Sequence, residues 1–380
     1  MKVSEELSQL AETLSNPFVE SWKKEGGKIV GYTCTYMPEE IIYAAGILPL
    51  RLRGTGCVGT AIADAYLSRI AHCSFARSVL ELALTGEYDF LDGVVFTNGC
   101  DHTRRAYDNW RAQEKTPSFM HMIPVPHVLT EDGLQWYREE VTAFKEHLEE
   151  SFGVEVTDES LTKAISVYNE TRSLLKQLYE LRTRKSPPIT GAETLKIVVA
   201  GVSMPRDRYN QMLKQLLDEI SGREGISDYR ARMMIVGSVN DDPALVELIE
   251  DTGGLVVADS QCFGARLFWD LDEETGDPLN NITARYYHHI PCPRMYGEYP
   301  TRFDFVKDAA RKADVDGVIL QTIKYCDLHG VDNAMLEKDL EEEGIFALRL
   351  EREYGPLADM GRIRTRVQAF IERLEGERNG

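Results

Sequence analysis

Three of the seven cysteines lie among polar and basic neighbours, where a thiol can ionise and bind metal. Cys73 lies in HCSFARS, Cys100 in NGCDHTRR and Cys326 in KYCDLHG. A structural cysteine usually lies in an apolar stretch, whereas His, Lys and Arg neighbours lower the pKa of a thiol and favour the metal-binding thiolate. Three thiolates at one opening suit an iron–sulfur cluster that keeps one iron free for a further ligand.

Two further cysteines are candidate ligands of the same cluster. Cys262 follows a predicted strand in DSQCFGAR, and Cys292 lies in HHIPCPR. Both can add ligands, and both can equally line the pocket as free thiols. Cys34 and Cys57 lie near the first two predicted strands, and we interpret them mainly as core or loop residues. An odd number of cysteines in a long chain argues against a disulfide framework.

A glycine motif and several missing motifs limit the possible chemistry. GTGCVG at residues 54–59 has the spacing of a dinucleotide fingerprint. The predicted helical region after it is too long for a compact βαβ unit, so a glycine-rich turn that allows close backbone approach is the preferred interpretation. The chain has no GxxxxGK[ST], GxSxG, HExxH or CxxC motif. ATP hydrolysis by a P-loop, an elbow serine and a zinc ribbon are therefore not predicted.

Histidine and arginine pairs give weaker signals. His288 and His289 next to Cys292 suggest zinc, but adjacent histidines on a strand point to opposite faces, so a polar loop is the preferred interpretation. Two closely spaced arginine pairs can bind phosphate, although solvated surface charge is the preferred interpretation of any single arginine. The pairs are Arg51 with Arg53 and Arg104 with Arg105.

The apolar pattern predicts an α/β fold. Strands are predicted at 28–34, 47–52, 92–97, 119–125, 232–237, 255–258, 316–321 and 345–350. Helices are predicted at 1–24, 38–46, 61–84, 131–184, 209–220, 242–251 and 357–374. This alternation favours two Rossmann-like α/β domains with mostly parallel sheets, joined by a helical segment. We expect an N-terminal helix and first domain in residues 1–130, a helical connection in 131–228 and a second domain in 229–380.

The two halves share a short internal repeat. DGVVF at 92–96 leads to Cys100-Asp101, and DGVIL at 316–320 leads to Cys326-Asp327. In open α/β sheets, ligands bind just outside the carboxyl ends of the strands. We therefore expect the two loops to face each other across a cleft between the halves, with the cluster in that cleft.

Composition excludes some classes of partner. Lys and Arg total 43 against 62 Asp and Glu, which gives a net charge of −19. A protein that binds nucleic acid or an anionic membrane needs a basic face, so neither partner is expected. No apolar run has the length of a membrane span, and the N-terminus lacks the apolar core of a secretory signal. We therefore expect a cytoplasmic protein.

Long segments of the chain resemble the benzoyl-CoA reductase / 2-hydroxyacyl-CoA dehydratase family. The segments are VGYTCTYMPEEIIYAAGILPLRL, HCSFARSVLELALTGEYDFLDGVVFTNGCDHTRRAYDNW, VVADSQCFGAR, HIPCPRM and ILQTIKYCDLHG. The similarity extends from about residue 28 to the end of the chain. It implies an iron–sulfur protein of two α/β domains, with a [4Fe–4S] cluster held by Cys73, Cys100 and Cys326.

The resemblance also implies partners and a reaction. Family members are usually heterodimers of two related subunits, and a separate ATP-hydrolysing iron–sulfur activator supplies a low-potential electron. The electron enters an acyl-CoA thioester and gives a ketyl radical. Benzoyl-CoA reductases then reduce the aromatic ring, whereas 2-hydroxyacyl-CoA dehydratases eliminate water to form an enoyl-CoA. DSQCFGAR and HIPCPRMYG look closer to the reductase subunits, so a benzoyl-CoA reductase-type subunit is the first expectation and a dehydratase subunit the alternative.

Other branches of the family leave further alternatives open. Homodimeric members bind a larger [8Fe–9S] double-cubane cluster and reduce small molecules. Cys262 and Cys292 have plausible positions for its extra ligands, although similar cysteines occur in single-cubane relatives. The partner is then a second copy of the chain, and a scaffold subunit without its own chemistry is a third alternative. No proton donor is assigned; His72 and His102 are candidates only because they adjoin cysteines.

Overall fold

The computed structural model describes residues 2–355 and 359–379 of the chain. Within these ranges eight strands and fifteen α-helices alternate along much of the sequence. The strands are β1 (Ile29–Tyr32), β2 (Leu48–Arg51), β3 (Gly93–Thr97), β4 (Phe119–Ile123), β5 (Ala231–Gly237), β6 (Gly254–Ser260), β7 (Gly317–Ile323) and β8 (Phe346–Arg352). The helices are α1 (Val3–Leu10), α2 (Pro17–Lys24), α3 (Glu39–Ala44), α4 (Ser74–Leu84), α5 (Asp101–Arg111), α6 (Glu131–Phe152), α7 (Asp158–Arg182), α8 (Gly191–Gly201), α9 (Arg206–Ser221), α10 (Ala244–Asp251), α11 (Ala265–Phe268), α12 (Pro278–His288), α13 (Tyr299–Lys312), α14 (Asp327–Glu342) and α15 (Met360–Asn379).

The strands form two four-stranded sheets with the same strand order. The first sheet has the order β2-β1-β3-β4 and the second has the order β6-β5-β7-β8. Every neighbouring pair in both sheets is parallel. The central strands β3 and β5 are buried along their whole length, which explains their continuous apolar sequences. The expected α/β fold with two halves and parallel sheets is therefore confirmed.

Helices cover both faces of each sheet. In the second sheet, Met233 and Ile235 pack with α8, α9 and α15 on one face. The alternate residues Met234 and Val236 pack with α13 and α14 on the other face, as the two-residue period of a strand requires. In the first sheet, α4 and α5 cover one face and α6 covers the other. The faces are thus buried, and the carboxyl ends of the strands remain to present loops.

Two predicted helices are wrong in extent. The segment predicted as one helix over 61–84 becomes helical only at Ser74, after a short 3₁₀ turn at Ala63–Ala65. Ile70 in this segment is 80% exposed, so the apolar residues there do not form a buried face that would stabilise a helix. The N-terminal helix predicted over 1–24 is two helices, because Asn16 caps α2 and Pro17 occupies its first turn.

The apolar pattern misses six helices, which are α5, α8, α11, α12, α13 and α14. Helix α8 is buried on nearly every side, so its sequence lacks the polar face that identifies an amphipathic helix. The start of the last predicted helix, at Leu357, lies outside the described residues. Helix α15 is described from Met360 and continues to Asn379, past the predicted end at residue 374.

The two sheets are linked by helices α6 to α9. Helix α7 contacts α3 in the first half and β6 in the second, so it ties the halves together. The domain boundaries expected after residues 130 and 228 stay a prediction. In the two ranges that the structure describes, no helix is both long enough and apolar enough to cross a membrane.

Candidate functional site

A cavity of about 140 Å³ lies between the carboxyl ends of the two sheets. Six cysteines line this cavity, which we call the cysteine cavity: Cys34, Cys73, Cys100, Cys262, Cys292 and Cys326. Four of the six directly follow strands, namely β1, β3, β6 and β7. In the first sheet the chain adds β2 on one side of β1 and then β3 on the other side, and in the second sheet it adds β6 and β7 on the two sides of β5 in the same way. Ligands of open α/β sheets bind at such switch points. The expected convergence of the two Cys-Asp loops is therefore found, and it includes more cysteines than expected.

Three of these cysteines, the first cysteine group, each precede a helix. Cys73, Cys100 and Cys326 are the N-cap residues of α4, α5 and α14. Burial raises the pKa of all three thiols, and backbone N–H groups in the first helical turn oppose that rise. The N–H groups belong to Ala76, Thr103 and His329. Because the N-terminus of a helix carries partial positive charge, this arrangement favours the thiolate form needed to bind metal.

The remaining three, Cys34, Cys262 and Cys292, form the second cysteine group. Cys34 has a left-handed backbone with a φ of 72°. A Cβ atom at Gly99 would lie 3.4 Å from the Cys34 sulfur, so the glycine lets the two strand-end loops approach. Burial raises the pKa of the Cys292 thiol to about 11, and the nearby Arg266 opposes this rise. Cys34 raises the pKa values of both Cys292 and Cys100, one thiol of each group.

Cys34 is the candidate that sequence reasoning missed. We expected Cys34 and Cys57 to be core or loop residues, and Cys57 is one: it is buried and its thiol donates to the carbonyl of Gly59 at 3.1 Å. Cys34 instead lies in the cysteine cavity. Its position just after the first strand could have identified it as a candidate ligand, because Cys100 and Cys326 also lie just after strands.

Two buried arginines beside the second group lack acidic partners. Arg51 and Arg266 are 3% and 5% exposed, and among the described residues no carboxylate oxygen lies within 4.0 Å of either guanidinium. The Arg51 Nη1 donates to the carbonyl of Cys262 at 2.5 Å, and the guanidinium stacks 3.8 Å from the ring centre of Phe263. The Arg266 Nη2 donates to the carbonyl of Gly237 at 3.2 Å, and its Nε has no partner. The expectation that Arg51 is solvated surface charge is wrong.

The other three arginines of the predicted pairs, Arg53, Arg104 and Arg105, differ in burial. Arg53 is 1% exposed and donates to the carbonyls of Ala11 and Thr13 at 2.8 and 2.6 Å, so the surface interpretation is wrong for it too. Arg104 and Arg105 are about half exposed and form ion pairs within their own helix. The partners of this latter pair are Asp101 and Asp108. Surface charge is therefore confirmed for Arg104 and Arg105.

The cavity fits an anionic iron–sulfur group. A buried cation without a counter-ion is costly, so Arg51 and Arg266 favour negative charge nearby. Thiols become thiolates when they bind metal, and the six that line the cavity would supply that charge. Within residues 2–355 and 359–379, no three His, Cys, Asp or Glu side chains converge on a single metal ion. A cluster suits this spacing better than a single ion does, because each thiolate binds a different iron of the cluster.

The two candidate proton donors lie beside the cavity and do not line it. The ring centres of His72 and His102 are 5.2 Å apart. The backbone N–H of Cys73 donates to the His102 Nδ1 at 3.2 Å, so this imidazole carries its proton on Nε2 when neutral. Burial lowers the pKa of His102. The structure thus gives His102 a contact that positions Cys73, and the role of either histidine as a proton donor stays a prediction.

His288 and His289, at the end of α12, have different surroundings. His288 is exposed, whereas His289 is 1% exposed and donates from Nδ1 to the carbonyl of Tyr286 at 2.7 Å. The other nitrogen of His289 accepts from the Thr35 hydroxyl at 3.2 Å. The pair lies at the end of a helix and not on a strand, and the polar-loop interpretation is wrong because His289 is a core residue.

The glycine motif is a structural turn. The backbone N–H of Gly54 donates to the hydroxyl of Tyr354 at 2.9 Å. A Cβ atom at Gly54 would lie only 2.2 Å from the Tyr354 ring. Gly56 has a φ of 83°, which a residue with a side chain rarely adopts. The preferred interpretation of a turn that allows close approach is therefore confirmed.

A sequence profile for the D-component of 2-hydroxyglutaryl-CoA dehydratase matches residues 34–374. The matched range includes all six cysteines of the cavity. The chain belongs to this dehydratase family. The resemblance on which the sequence analysis relied is thereby confirmed, and iron–sulfur chemistry is linked to the family.

Named relatives of the family span both reaction types. The chain is 26% identical to the (R)-phenyllactyl-CoA dehydratase beta subunit of Clostridium sporogenes, over 98% of this chain and 99% of that one. It is 29% identical to a benzoyl-CoA reductase subunit of Thauera aromatica, over 88% and 89%. It is 24% identical to the (R)-2-hydroxyglutaryl-CoA dehydratase beta subunit of Acidaminococcus fermentans, over 98% and 100%. All three names denote enzyme subunits, and these identities do not separate reductase from dehydratase.

Proposed function

We propose that this chain is the cluster-bearing subunit of an enzyme that transfers low-potential single electrons to an acyl-CoA thioester. Benzoyl-CoA reductase-type reduction is the first assignment. The observation that carries the proposal is the convergence of six cysteines on one cavity at the carboxyl ends of both sheets. The names of the family relatives support the substrate class, since each of the three is named for a CoA thioester.

The number of thiols supports the larger of the two candidate cofactors. A [4Fe–4S] cluster on Cys73, Cys100 and Cys326 uses only the first cysteine group and leaves the second group without a role. An [8Fe–9S] double cubane uses both groups, with one group of three cysteines for each half. The charges of Arg51 and Arg266 favour an anionic group beside the second group as well. We therefore propose the double cubane, held by all six cysteines of the cavity.

The same observation favours a reductase over a dehydratase. Elimination of water leaves the substrate with no net gain of electrons, so one recycled electron is sufficient. Reduction of an aromatic ring to a diene takes up two electrons. A site with two groups of ligating thiols suits an enzyme that must supply more than one electron in each turnover. Dehydration of a 2-hydroxyacyl-CoA is one alternative, and reduction of a small molecule by a homodimer with the double cubane is the other.

The surroundings of the cysteines suit a low potential. When bound, an iron–sulfur cluster in this site would supply single electrons, and burial in apolar surroundings lowers its potential. The lining is mainly apolar, with Leu52, Phe75, Val239, Phe263 and Ile323 between the cysteines. These side chains exclude water and lower the local dielectric constant, which protects a reactive reduced species from protonation by solvent.

The proposal includes two protein partners. The relatives are named as subunits, which supports a related second subunit, and a second copy of this chain is the alternative. The chain has no P-loop motif, so we propose that a separate ATP-hydrolysing iron–sulfur activator supplies the electron. Contacts that the partner supplies would then complete the selection of the acyl group.

The first experiment measures iron and acid-labile sulfide per chain, with an EPR spectrum, on anaerobically purified protein. We expect about eight irons per chain. About four irons would establish the single cubane instead, and no iron would exclude the cluster site. Purified complex and activator are then assayed with benzoyl-CoA and with 2-hydroxyacyl-CoA esters. Formation of a cyclic diene supports the reductase, whereas formation of an enoyl-CoA alone establishes the dehydratase.

Cysteine variants show which thiols hold the iron. Cys73→Ala tests the first cysteine group and Cys262→Ala tests the second. Each is expected to lose at least half of the bound iron, because each removes one of three ligands from its half. Cys57→Ala is the matched control, since this buried thiol lies outside the cavity. Full iron content in Cys262→Ala would restrict the cluster to the first group.

A further inference from the structure

A second cavity, of about 210 Å³, lies in the second half of the chain. Its wall is formed by side chains of α7, β6, α11 and α13, together with Trp269 at the end of α11. We call this space the aromatic cavity, because Trp269 and Phe305 lie in its wall. Among the residues that the structure describes, its wall and that of the cysteine cavity have none in common. The aromatic cavity is therefore separate from the candidate cluster site.

The space exists because small side chains form much of its wall. Four of the lining residues are alanines: Ala258, Ala265, Ala309 and Ala313. Protein interiors are normally packed as densely as organic crystals, so an opening of this size between helices is an exception. An apolar cavity of about 150 Å³ is large enough to bind benzene. The aromatic cavity can therefore accept a small organic molecule.

The larger side chains of the wall are aromatic. The ring centres of Trp269 and Phe305 are 5.4 Å apart, and their planes cross at 78°. Tyr179 adds a third ring to the wall. Aromatic rings prefer offset-stacked or edge-to-face contacts with another ring, and such contacts add to the gain from apolar burial. The wall thus favours a planar aromatic ligand over a saturated one of the same size.

The polar groups of the wall are already bonded to one another. Asp259 accepts from the Tyr179 hydroxyl at 2.6 Å and from the backbone N–H of Ala265 at 2.8 Å. Lys312 pairs with Glu180, and both side chains are about half exposed, so this ion pair lies on the solvent side of the cavity. A ligand would leave these bonds intact, and a charge buried beside them would lack a partner. The wall therefore suits a neutral ligand.

We propose that the aromatic cavity is a binding site for a small neutral aromatic molecule of the size of a substituted benzene. Binding is non-covalent: the apolar surfaces of the ligand and of the wall leave water, and the ligand ring packs against Trp269 and Phe305. The proposal does not depend on the iron–sulfur cluster or on the proposed acyl-CoA reaction.

The position of the cavity provides a way to locate the bound molecule. Asp259 and Ala265 bracket the loop that carries Cys262, and their hydrogen bond joins the two ends of this loop. A Cβ atom at Gly264 would lie 2.0 Å from the Asp259 Oδ1, so the loop folds closely over the carboxylate. A molecule in the aromatic cavity contacts both ends of the loop. It should therefore slow the hydrogen exchange of the amides of residues 257–269.

The test is a ¹⁹F NMR titration of the full chain with 4-fluorotoluene. We expect a dissociation constant of about 1 mM or below. Fluorocyclohexane, a saturated ring, should bind about fivefold more weakly because it makes no ring–ring contacts. 4-Fluorobenzoate should bind at least about tenfold more weakly, because its charge is costly to bury and Asp308 and Glu180 are acidic residues of the wall. Equal or tighter binding of either comparison probe would overturn the assigned ligand class.

A variant that fills the space tests the location of the site. Ala309 lies on α13 and is half-buried, and leucine is also a good helix former, so Ala309→Leu should fold and occupy part of the cavity. We expect 4-fluorotoluene to bind this variant at least about tenfold more weakly, since its place is taken. Ala143→Leu is the matched control, because Ala143 is an exposed alanine on α6 outside the cavity wall. This control should bind the probe as the wild type does.

A second variant tests the aromatic wall without filling the space. Trp269→Leu should remove most of the preference for 4-fluorotoluene over fluorocyclohexane, which is a ratio that a general loss of stability would not change. Hydrogen exchange, measured with and without 4-fluorotoluene, should slow at residues 257–269 in the wild type and stay unchanged in Ala309→Leu. An absence of binding to the wild type, equal binding to Ala309→Leu, or protection confined to other segments would overturn the inference.

Discussion

Cys100 and Cys326 occupy equivalent positions in the two halves of the chain. Each follows the strand that pairs with the central β1 or β5, and each is the N-cap of the next helix. The two thiols are close enough that Cys100 raises the pKa of Cys326. Repetition of one strand–loop–helix unit therefore brings two ligand-type side chains, 226 positions apart, to opposite walls of one cavity.

Cys34 is predicted to hold iron as firmly as the cysteines recognised from sequence. Cys34→Ala should lose iron, to about half of the wild-type content, because one ligand of the second cysteine group is removed. Iron per chain and the EPR signal measure the effect on anaerobic preparations. Cys57→Ala serves as the thiol-removal control and should keep its full iron content. Unchanged iron in Cys34→Ala would exclude Cys34 as a ligand.

The glycine-rich turn is predicted to act through its contact with Tyr354. Gly54→Ala should destabilise the fold by about 1–3 kcal/mol, since its Cβ would lie 2.2 Å from the Tyr354 ring. Gly59→Ala, in the same motif, has no atom within 4 Å of the added Cβ and should change stability by less than about 0.5 kcal/mol. Urea unfolding of the two variants measures the difference. Equal stability of both would contradict the role of the contact.

A histidine pair is predicted to make the fold less stable in acid. The Nδ1 atoms of His121 and His147 are 2.9 Å apart. Burial and then the neighbouring His147 lower the pKa of His121 to about 4. Between pH 6.5 and 4 the unfolded chain therefore binds a proton that the folded chain does not, so stability should fall as the pH falls through this range.

His121→Gln should weaken that pH dependence, because glutamine keeps a polar partner for His147 and does not titrate. Urea midpoints of wild type and variant, compared from about pH 7 to about pH 4, provide the measurement. We expect the wild type to lose about 1 kcal/mol more than the variant over this range, after allowance for partial exposure of the ring. Parallel pH profiles would show that His121 is already charged in the fold.

A buried ion-pair network is predicted to hold α3 and α7 together behind the cavity. Arg172 on α7 pairs with Glu40 on α3 and with Asp272, and all three side chains are nearly inaccessible. Arg172→Met leaves two buried carboxylates without a partner and should cost about 3–5 kcal/mol of unfolding free energy.

The matched control for this network is an exposed pair on α14. Lys338 lies 3.5 Å from Glu342, and both side chains are more than half exposed. Lys338→Met should therefore change stability by less than about 1 kcal/mol. Chemical denaturation of both variants checks the contrast. A small effect in Arg172→Met would mean that the two carboxylates are protonated or rehydrated at little cost.

The fold class, the family and five of the six cysteines of the cavity are predictable from the amino-acid sequence alone. Buried parallel strands have continuous apolar sequences, and polar neighbours distinguish Cys73, Cys100 and Cys326 from cysteines of the core. These are local properties, since they depend on residues that are close together in the chain. For the same reason the glycine motif could be interpreted correctly as a turn.

The set of residues that share the cavity, and the distribution of charge around it, depend on the three-dimensional fold. Cys34 lines the same cavity as Cys292, 258 positions away, because two sheets with the same strand order face each other at their carboxyl ends. Arg51 looked like surface charge, but it is buried with a single carbonyl partner. The burial and pairing of a side chain depend on contacts between segments that are distant in the chain. The neighbouring residues in sequence therefore do not predict them.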